Sequence, residues 1–208
     1  MSDVVALLSK GLHSLNVQAT SEQQSKLLTL LEQLMKWNKT YNLTAIKTEK
    51  EGLTLHLLDS LAVVPFIVQK TILDVGTGAG FPGLPLAIML PEVKFTLLDS
   101  NSKKIRFIRQ LIHLLDLNNV EVVHTRVEKL TEQRFEGIIS RAFASIDDMV
   151  QMTQHLLAEN GRWLAMKGQY SKQELEDVVI KVREIACHSL NIPGLSAERC
   201  LIELQPNC

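Results

Sequence analysis

The stretch LDVGTGAGFPGLPLAI, Leu73 to Ile88, holds four glycines (Gly76, Gly78, Gly80 and Gly83) within eight residues. An apolar run ends at Val75 and a helical pattern opens at Gly83, so the stretch reads as strand, tight loop and helix start. Glycine tolerates positive φ and lacks a Cβ, which suits a loop where backbone approaches a ligand. In an open α/β sheet such ligands sit beyond the carboxyl ends of the strands. A tight turn without a ligand is the plainer reading of one glycine pair; four glycines after a buried-looking strand favour a nucleotide-like ligand.

The rest of the chain supplies the frame that such a loop needs. From Thr71, strands are expected at TILDV, KFTLLD, VEVVH, FEGIISRAF and GRWLAMKG. Between them GLPLAIML, SKKIRFIRQLIHLLDL and IDDMVQMTQHLLAEN read as helices, the last ended by Gly161. Ser171 with Glu174 caps another helix, and EIACHSL and ERCLIEL supply two final strands joined through Pro193 and Gly194. This alternation predicts an α/β, Rossmann-like fold, with a mostly parallel seven-stranded sheet and helices on both faces. Ahead of it the pattern is helical. Ser21 with Gln24 makes a capping box, followed by an apolar stripe of Leu27, Leu31, Leu34 and Met35. Leu53, Leu57, Leu58 and Leu61 form a second stripe that stops near Pro65. The expected division is an N-terminal helical cap, 1–68, and a Rossmann-like domain, 69–208.

Composition narrows the class further. No apolar run approaches the ~20 residues that span a bilayer. The opening MSDVVALLSKGLHSL lacks a basic segment and a small-residue cleavage site, so a cytoplasmic protein without membrane contact is expected. Cys187, Cys200 and Cys208 show no CxxC spacing and favour free thiols over a disulfide frame. The six histidines are scattered without HExxH, so no metal is expected. A net charge of −1 lacks the basic excess of many nucleic-acid binders, so any RNA contact rests on local patches.

Which ligand the loop takes turns on register. Gly78, Gly80 and Gly83 satisfy the dinucleotide pattern G-x-G-x-x-G. In that pattern a pyrophosphate sits at the helix N-terminus, yet here Asp74 sets a carboxylate at the strand end. A carboxylate repels pyrophosphate and suits an ammonium or sulfonium. The register Asp74 to Gly80, D-x-G-x-G-x-G, therefore fits S-adenosylmethionine better. Asp99 ends the second strand, where it can accept hydrogen bonds from ribose hydroxyls. After the third strand Val127 is placed to touch an adenine face and Glu128 its edge. Taken singly each acid reads as a solvated loop residue; acids after three successive strands make a pattern.

The fourth strand ends in ISRAFAS, and absences there bear on the methyl acceptor. No (D/N/S)-P-P-(Y/F) run grips an exocyclic amine, and no cysteine stands ready as a nucleophile. Ser140 and Arg141 occupy the place of the aspartate used in ribose 2′-O transfer. Guanine N7 carries a lone pair and no proton, so its methylation asks for positioning more than acid–base work.

Seven segments, KWNKTYNLTAI, HLLDSL, LDVGTGAGFPGLPLAI, FTLLDSNSKKIRFIRQ, RVEKL, ISRAFAS and MKG, resemble the RsmG family, or glucose-inhibited division protein B, over about residues 34–168. Leu55 stands where many members carry arginine. The resemblance implies a class I S-adenosylmethionine-dependent methyltransferase that forms 7-methylguanosine in 16S rRNA, at the family's target guanine 527. It implies that Gly76, Phe81, Val127, Glu128 and Arg141 line the cofactor pocket; Asp74, Gly78, Gly80 and Asp99 join them on the register argument. Arg141 is the expected catalytic residue. It either orients the cofactor carboxylate, grips an RNA phosphate, or pairs with a neighbouring acid.

The partner implied is 16S rRNA or the small ribosomal subunit. Lys36, Trp37, Lys39, Tyr41 and Asn42 follow an amphipathic helix and read two ways, as stacking and phosphate contacts or as a helix exit packed on the sheet domain. His56 belongs to the same RNA set. Arg106 and Arg109 share a helix face that is otherwise a solvated stripe. Lys167 in AMKG ends a strand beside the pocket. Two other classes compete with the methyltransferase reading: a non-catalytic ribosome-assembly factor, and an enzyme acting on a small molecule by methyl transfer or nucleotide-dependent redox chemistry.

Overall fold

The computed structural model describes residues 2–207, so Cys208 lies outside the described residues. Two long helices open the chain, α1 (Ser2–Ser14) and α2 (Ser21–Tyr41). The capping box of α2 is set one residue earlier than the sequence pattern placed it. Thr20 Oγ1 accepts from Gln23 N–H, and Gln23 Oε1 accepts from Thr20 N–H. A second helical run follows as α3 (Glu49–Gly52), a π-helical segment (Leu53–Leu58) and α4 (Asp59–Leu61).

The sheet is built from β1 (Thr71–Val75), β2 (Lys94–Asp99), β3 (Val120–His124), β4 (Phe135–Ser140), β5 (Leu157–Lys167), β6 (Val182–Ser189) and β7 (Cys200–Pro206). Its order is β3-β2-β1-β4-β5-β7-β6. The first five strands run parallel, and β7 lies antiparallel between β5 and β6. This is the expected Rossmann-like sheet. The central strands β1, β2 and β4 are almost continuously buried, as parallel strands covered on both faces must be. Edge strand β6 alternates exposed and half-buried positions instead.

Helices α5 (Gly83–Met89), α6 (Ser102–Leu114), α7 (Ile146–Thr153) and α8 (Lys172–Glu176) connect the strands. Three sequence expectations need correction here. The helix read through Asn160 stops at Thr153, and β5 begins at Leu157. The pairing register jumps between Leu157 and Arg162, and Asn160 adopts φ 62°, so Gly161 belongs to an irregular strand entry and not to a helix end. The strand read through Phe143 ends at Ser140. Finally, Ser171 stands at the cap position of α8 without a side-chain hydrogen bond; Glu174 accepts from Ile146 N–H and Lys167 Nζ instead.

Cap and sheet share one core, in which Leu8, Leu27, Leu31 and Leu57 pack with Ile72, Leu86, Leu97 and Phe107. All seven residues of α5 are buried. Its C-terminal carbonyls are closed by two distant amides. Gln23 Nε2 donates to Ile88 O and Met89 O (both 3.2 Å), and Asn119 Nδ2 donates to Ala87 O (3.1 Å) and Leu90 O (3.2 Å). Strand order reverses between β1 and β4, so a crevice opens at their carboxyl ends.

Candidate active site

The glycine loop leaves β1 into that crevice. Gly76 and Thr77 donate their N–H groups to Leu98 O (2.9 and 3.1 Å), which folds the loop over the end of β2. Gly76, Gly78 and Gly80 adopt φ of +67°, +63° and +91°, conformations that side chains resist. Asp74 lies fully buried beneath the loop, where its Oδ2 accepts from Thr77 Oγ1 (2.6 Å) and Gly83 N–H (2.8 Å). Its other oxygen, Oδ1, has no partner. Burial pushes this carboxyl up to about 6, against the two hydrogen bonds and the Arg141 charge. Asp74 thus underpins the cradle and does not line it. Gly80 is likewise a turn residue facing Leu84, away from the cavity walls.

Asp99 sits at the rim. One of its oxygens accepts from Gly78 N–H (2.9 Å) and the other from Asn101 N–H (2.8 Å), and each oxygen keeps a further lone pair for a ligand. Asn101 in turn caps α6 through Lys103 and Lys104 N–H. The loop and the helix after β2 are therefore positioned by one carboxylate.

Two hollows meet here. The smaller, about 290 Å³, is lined by Gly76, Asp99, Val127, Glu128, Ala142 and Phe143. The larger, about 480 Å³, is lined among others by Gly76, Gly78, Phe81, His56, Arg141 and Lys167. They join at Gly76 and Ala142. A Cβ on Gly76 would stand 2.8 Å from that of Ala142 and narrow the passage, so glycine is required for space as well as for φ. The acids and apolar groups of the small hollow suit an adenosine, and the passage suits its extension into the large one.

Besides Asp74 and Gly80, the expected site residues outside these hollows are the surface set. Lys36, Lys39, Tyr41 and Asn42 are exposed at the end of α2, where Asn42 forms the left-handed cap. Trp37 is half-buried and packs on Phe107 (5.4 Å) and Tyr41 (4.9 Å), which makes it a joint between α2 and α6. Arg106 and Arg109 are exposed on α6.

In the large hollow Arg141 takes one of its expected roles, pairing with a neighbouring acid, but within a network whose acid, Asp59, and second arginine, Arg199, sequence reasoning missed. Asp59, at the start of α4, has a buried side chain and accepts from two guanidiniums. Arg141 Nη1 donates to its Oδ2 (2.7 Å) and to Leu55 O (3.1 Å), and Arg199 Nε donates to its Oδ1 (3.1 Å). His56 stacks on Phe81 at 4.6 Å and shares a hydrogen bond with Thr44 Oγ1 (2.9 Å). Burial, then the nearby Arg141 charge, hold the His56 imidazole down at about 4, so it is neutral near pH 7. The available signal was the lone acid in HLLDSL, a run of leucines on a buried helix face.

The family model described as GidB, rRNA small subunit methyltransferase G, matches residues 23–202. The chain belongs to this family. A relative named "Ribosomal RNA small subunit methyltransferase G" from Ectopseudomonas mendocina (strain ymp) is 48% identical over 201 residues, covering 95% of this chain and 94% of its own. The relative of the same name from Escherichia fergusonii is 43% identical over 201 residues, covering 96% and 97%. Among solved structures, a SAM dependent methyltransferase from Aquifex aeolicus aligns with TM-score 0.56 at 20% identity, over 74% of this chain and 92% of that one. A ribosomal protein L11 methylase from Lactobacillus delbrueckii subsp. bulgaricus aligns with TM-score 0.57 at 12% identity, over 74% and 79%. At these identities the likeness concerns the fold, which is that of class I methyltransferases.

Proposed function

We propose that this chain is a cytoplasmic 16S rRNA methyltransferase that uses S-adenosylmethionine to methylate guanine N7, at the family's target guanine 527. The cofactor, when bound, supplies an electrophilic methyl group carried on a sulfonium. Asp99, Val127 and Glu128 hold its adenosine in the small hollow; Gly76 and Gly78 form the passage, and Phe81 and Arg141 border the large hollow where the acceptor enters. Arg141 is the catalytic residue in this reading, orienting the cofactor carboxylate or gripping an RNA phosphate with the N–H groups that Asp59 and Leu55 O leave free.

The observation that carries the choice of N7 is the proton inventory of the large hollow. Asp59 is engaged by two guanidiniums, and Lys167 donates to Glu174 and Ala144 O. Burial pushes the Cys200 thiol up to about 11. The two nitrogens of His56 face Thr44 and Arg141, and its basicity is low. Among the described residues lining this hollow, no side chain stands free to remove a proton. A nucleophile that carries none is the acceptor consistent with such a site.

The RNA surface in this reading combines Lys36, Lys39, Tyr41 and Asn42 on α2 with Arg106 and Arg109 on α6. Trp37 holds those two helices together, while His56 and Lys167 reach the RNA inside the hollow. The cap, 1–68, then acts as part of the RNA platform and 69–208 as the cofactor domain.

The test is methyl transfer by purified protein to naked 16S rRNA, assembly intermediates and complete small subunits, with the product mapped as 7-methylguanosine. One modified guanine is expected, missing from a deletion strain. An unchanged modification map in that strain would favour the assembly-factor reading, and absence of S-adenosylmethionine binding would sink the cofactor assignment.

A further inference from the structure

The large hollow carries two guanidiniums against one carboxylate. Arg141 comes from the end of β4, Arg199 from the residue before β7, and Asp59 from the cap. All three line the hollow, and the Asp59 side chain is 6% exposed. Each oxygen of Asp59 takes a different arginine, at 2.7 and 3.1 Å, and each guanidinium has a second anchor, Leu55 O for Arg141 and Glu198 O for Arg199. His56, neutral near pH 7, adds no further positive charge. The Lys167 ammonium is matched by Glu174 at 2.7 Å. The trio Asp59, Arg141 and Arg199 therefore leaves one positive charge, where without Asp59 it would leave two.

That difference matters for the ligand of the preceding proposal, on which this inference rests. S-adenosylmethionine carries a sulfonium, whereas the spent S-adenosylhomocysteine has a neutral thioether; the two are otherwise alike. Like unit charges sharing a partly buried hollow repel, and the effect expected is about tenfold in affinity. A second uncompensated guanidinium facing the glycine passage would thus select against the charged donor and in favour of the spent one.

We infer that Asp59 is a positioning and charge-balancing residue: it fixes Arg141 and Arg199 at the mouth of the acceptor hollow and cancels one of their charges, so that the site admits a cationic methyl donor. It acts through the two arginines and is not itself a catalytic residue. A purely structural tie between cap and sheet would affect donor and spent cofactor alike. A charge-balancing one separates them.

The experiment is calorimetric titration of the full chain with S-adenosylmethionine and, separately, S-adenosylhomocysteine. Asp59→Asn is expected to weaken the first about tenfold more than the second. Asp59→Glu should restore most of the wild-type ratio. Arg199→Gln has the opposite sign, favouring S-adenosylmethionine relative to S-adenosylhomocysteine, and it keeps the question decidable if Asp59→Asn does not fold. A wild-type ratio in Asp59→Asn, or a fall in the ratio with Arg199→Gln, overturns the inference while the methyltransferase reading stands. A wild-type protein that binds neither compound overturns both.

Discussion

The buried carboxylate of Asp74 accepts the N–H of Gly83 at 2.8 Å, tying the first residue of α5 to the strand residue on which the glycine loop rests. Its companion oxygen has no partner, and burial sets the carboxyl at about 6 against an ordinary value of 3.8. The folded state then holds more protons than the unfolded chain between those two values. Stability contributed at this position is accordingly greatest in acid and falls as pH rises through about 6. Asp74→Asn keeps an acceptor for Thr77 and Gly83 and removes the charge. Urea unfolding midpoints measured across this range should lose that part of their pH slope in the variant, with a higher midpoint than wild type at neutral pH. Identical slopes would remove Asp74 as their source.

The glycines of the loop separate conformational strain from collision. A methyl on Gly78 would meet Lys104 Nζ at 3.8 Å, which is ordinary contact, so Gly78→Ala bears only the strain of its φ of +63°. That is about 1–2 kcal/mol. At Gly80, with φ +91°, the added carbon would also run into the Leu84 side chain, and the loss should exceed that of Gly78→Ala by at least about 1 kcal/mol. Thermal unfolding of the two variants side by side gives the order; equal losses would mean that Leu84 yields freely.

Packing and RNA contact can be told apart at the end of α2. Trp37→Ala opens the contact with Phe107 and should cost about 2 kcal/mol of stability. Lys36→Gln and Lys39→Gln alter exposed cations and should leave stability unchanged. Each should lower the slope of log affinity against log salt for 16S rRNA by about 1. An unaltered slope in both would take these lysines off the RNA surface.

Arg141→Ala removes a donor that lines the acceptor hollow but leaves Asp59 held by Arg199 at 3.1 Å. Turnover should fall at least about a hundredfold while circular dichroism stays that of the wild type. Wild-type turnover would remove Arg141 from the reaction.

The sheet and its loop were legible because their signals are local. TILDV and KFTLLD are short apolar runs that only a doubly covered parallel sheet buries whole, and the glycines at 76, 78 and 80 require positive φ whatever surrounds them. The cap of α2 was legible to within a residue, since Thr20, Ser21, Gln23 and Gln24 offer the same chemistry in adjacent registers, whereas Glu174 is drawn from the cap of α8 by Ile146 N–H and Lys167. The end of α7 was not, because Leu157 is apolar enough for helix or strand and its pairing with Phe135 decides. An acid beside Arg141 was among its expected roles, but that the acid is Asp59, shared with Arg199, was out of reach for a different reason. The members of this network stand 82 and 140 residues apart, and no spacing rule connects a cap helix to the end of β4 and the start of β7.

The amides that close α5 have a consequence for how the chain can be cut. Gln23 serves two ends at once, completing the cap of α2 and covering Ile88 O and Met89 O. A chain begun at residue 69 would expose those carbonyls and the apolar flank of α5, the helix that anchors the exit of the glycine loop. The N-terminal helices are thus a scaffold for the loop itself. Homologous chimeras that exchange the cap should transplant Gln23 with its α5 partner surface, or they will inherit a loop without its mooring.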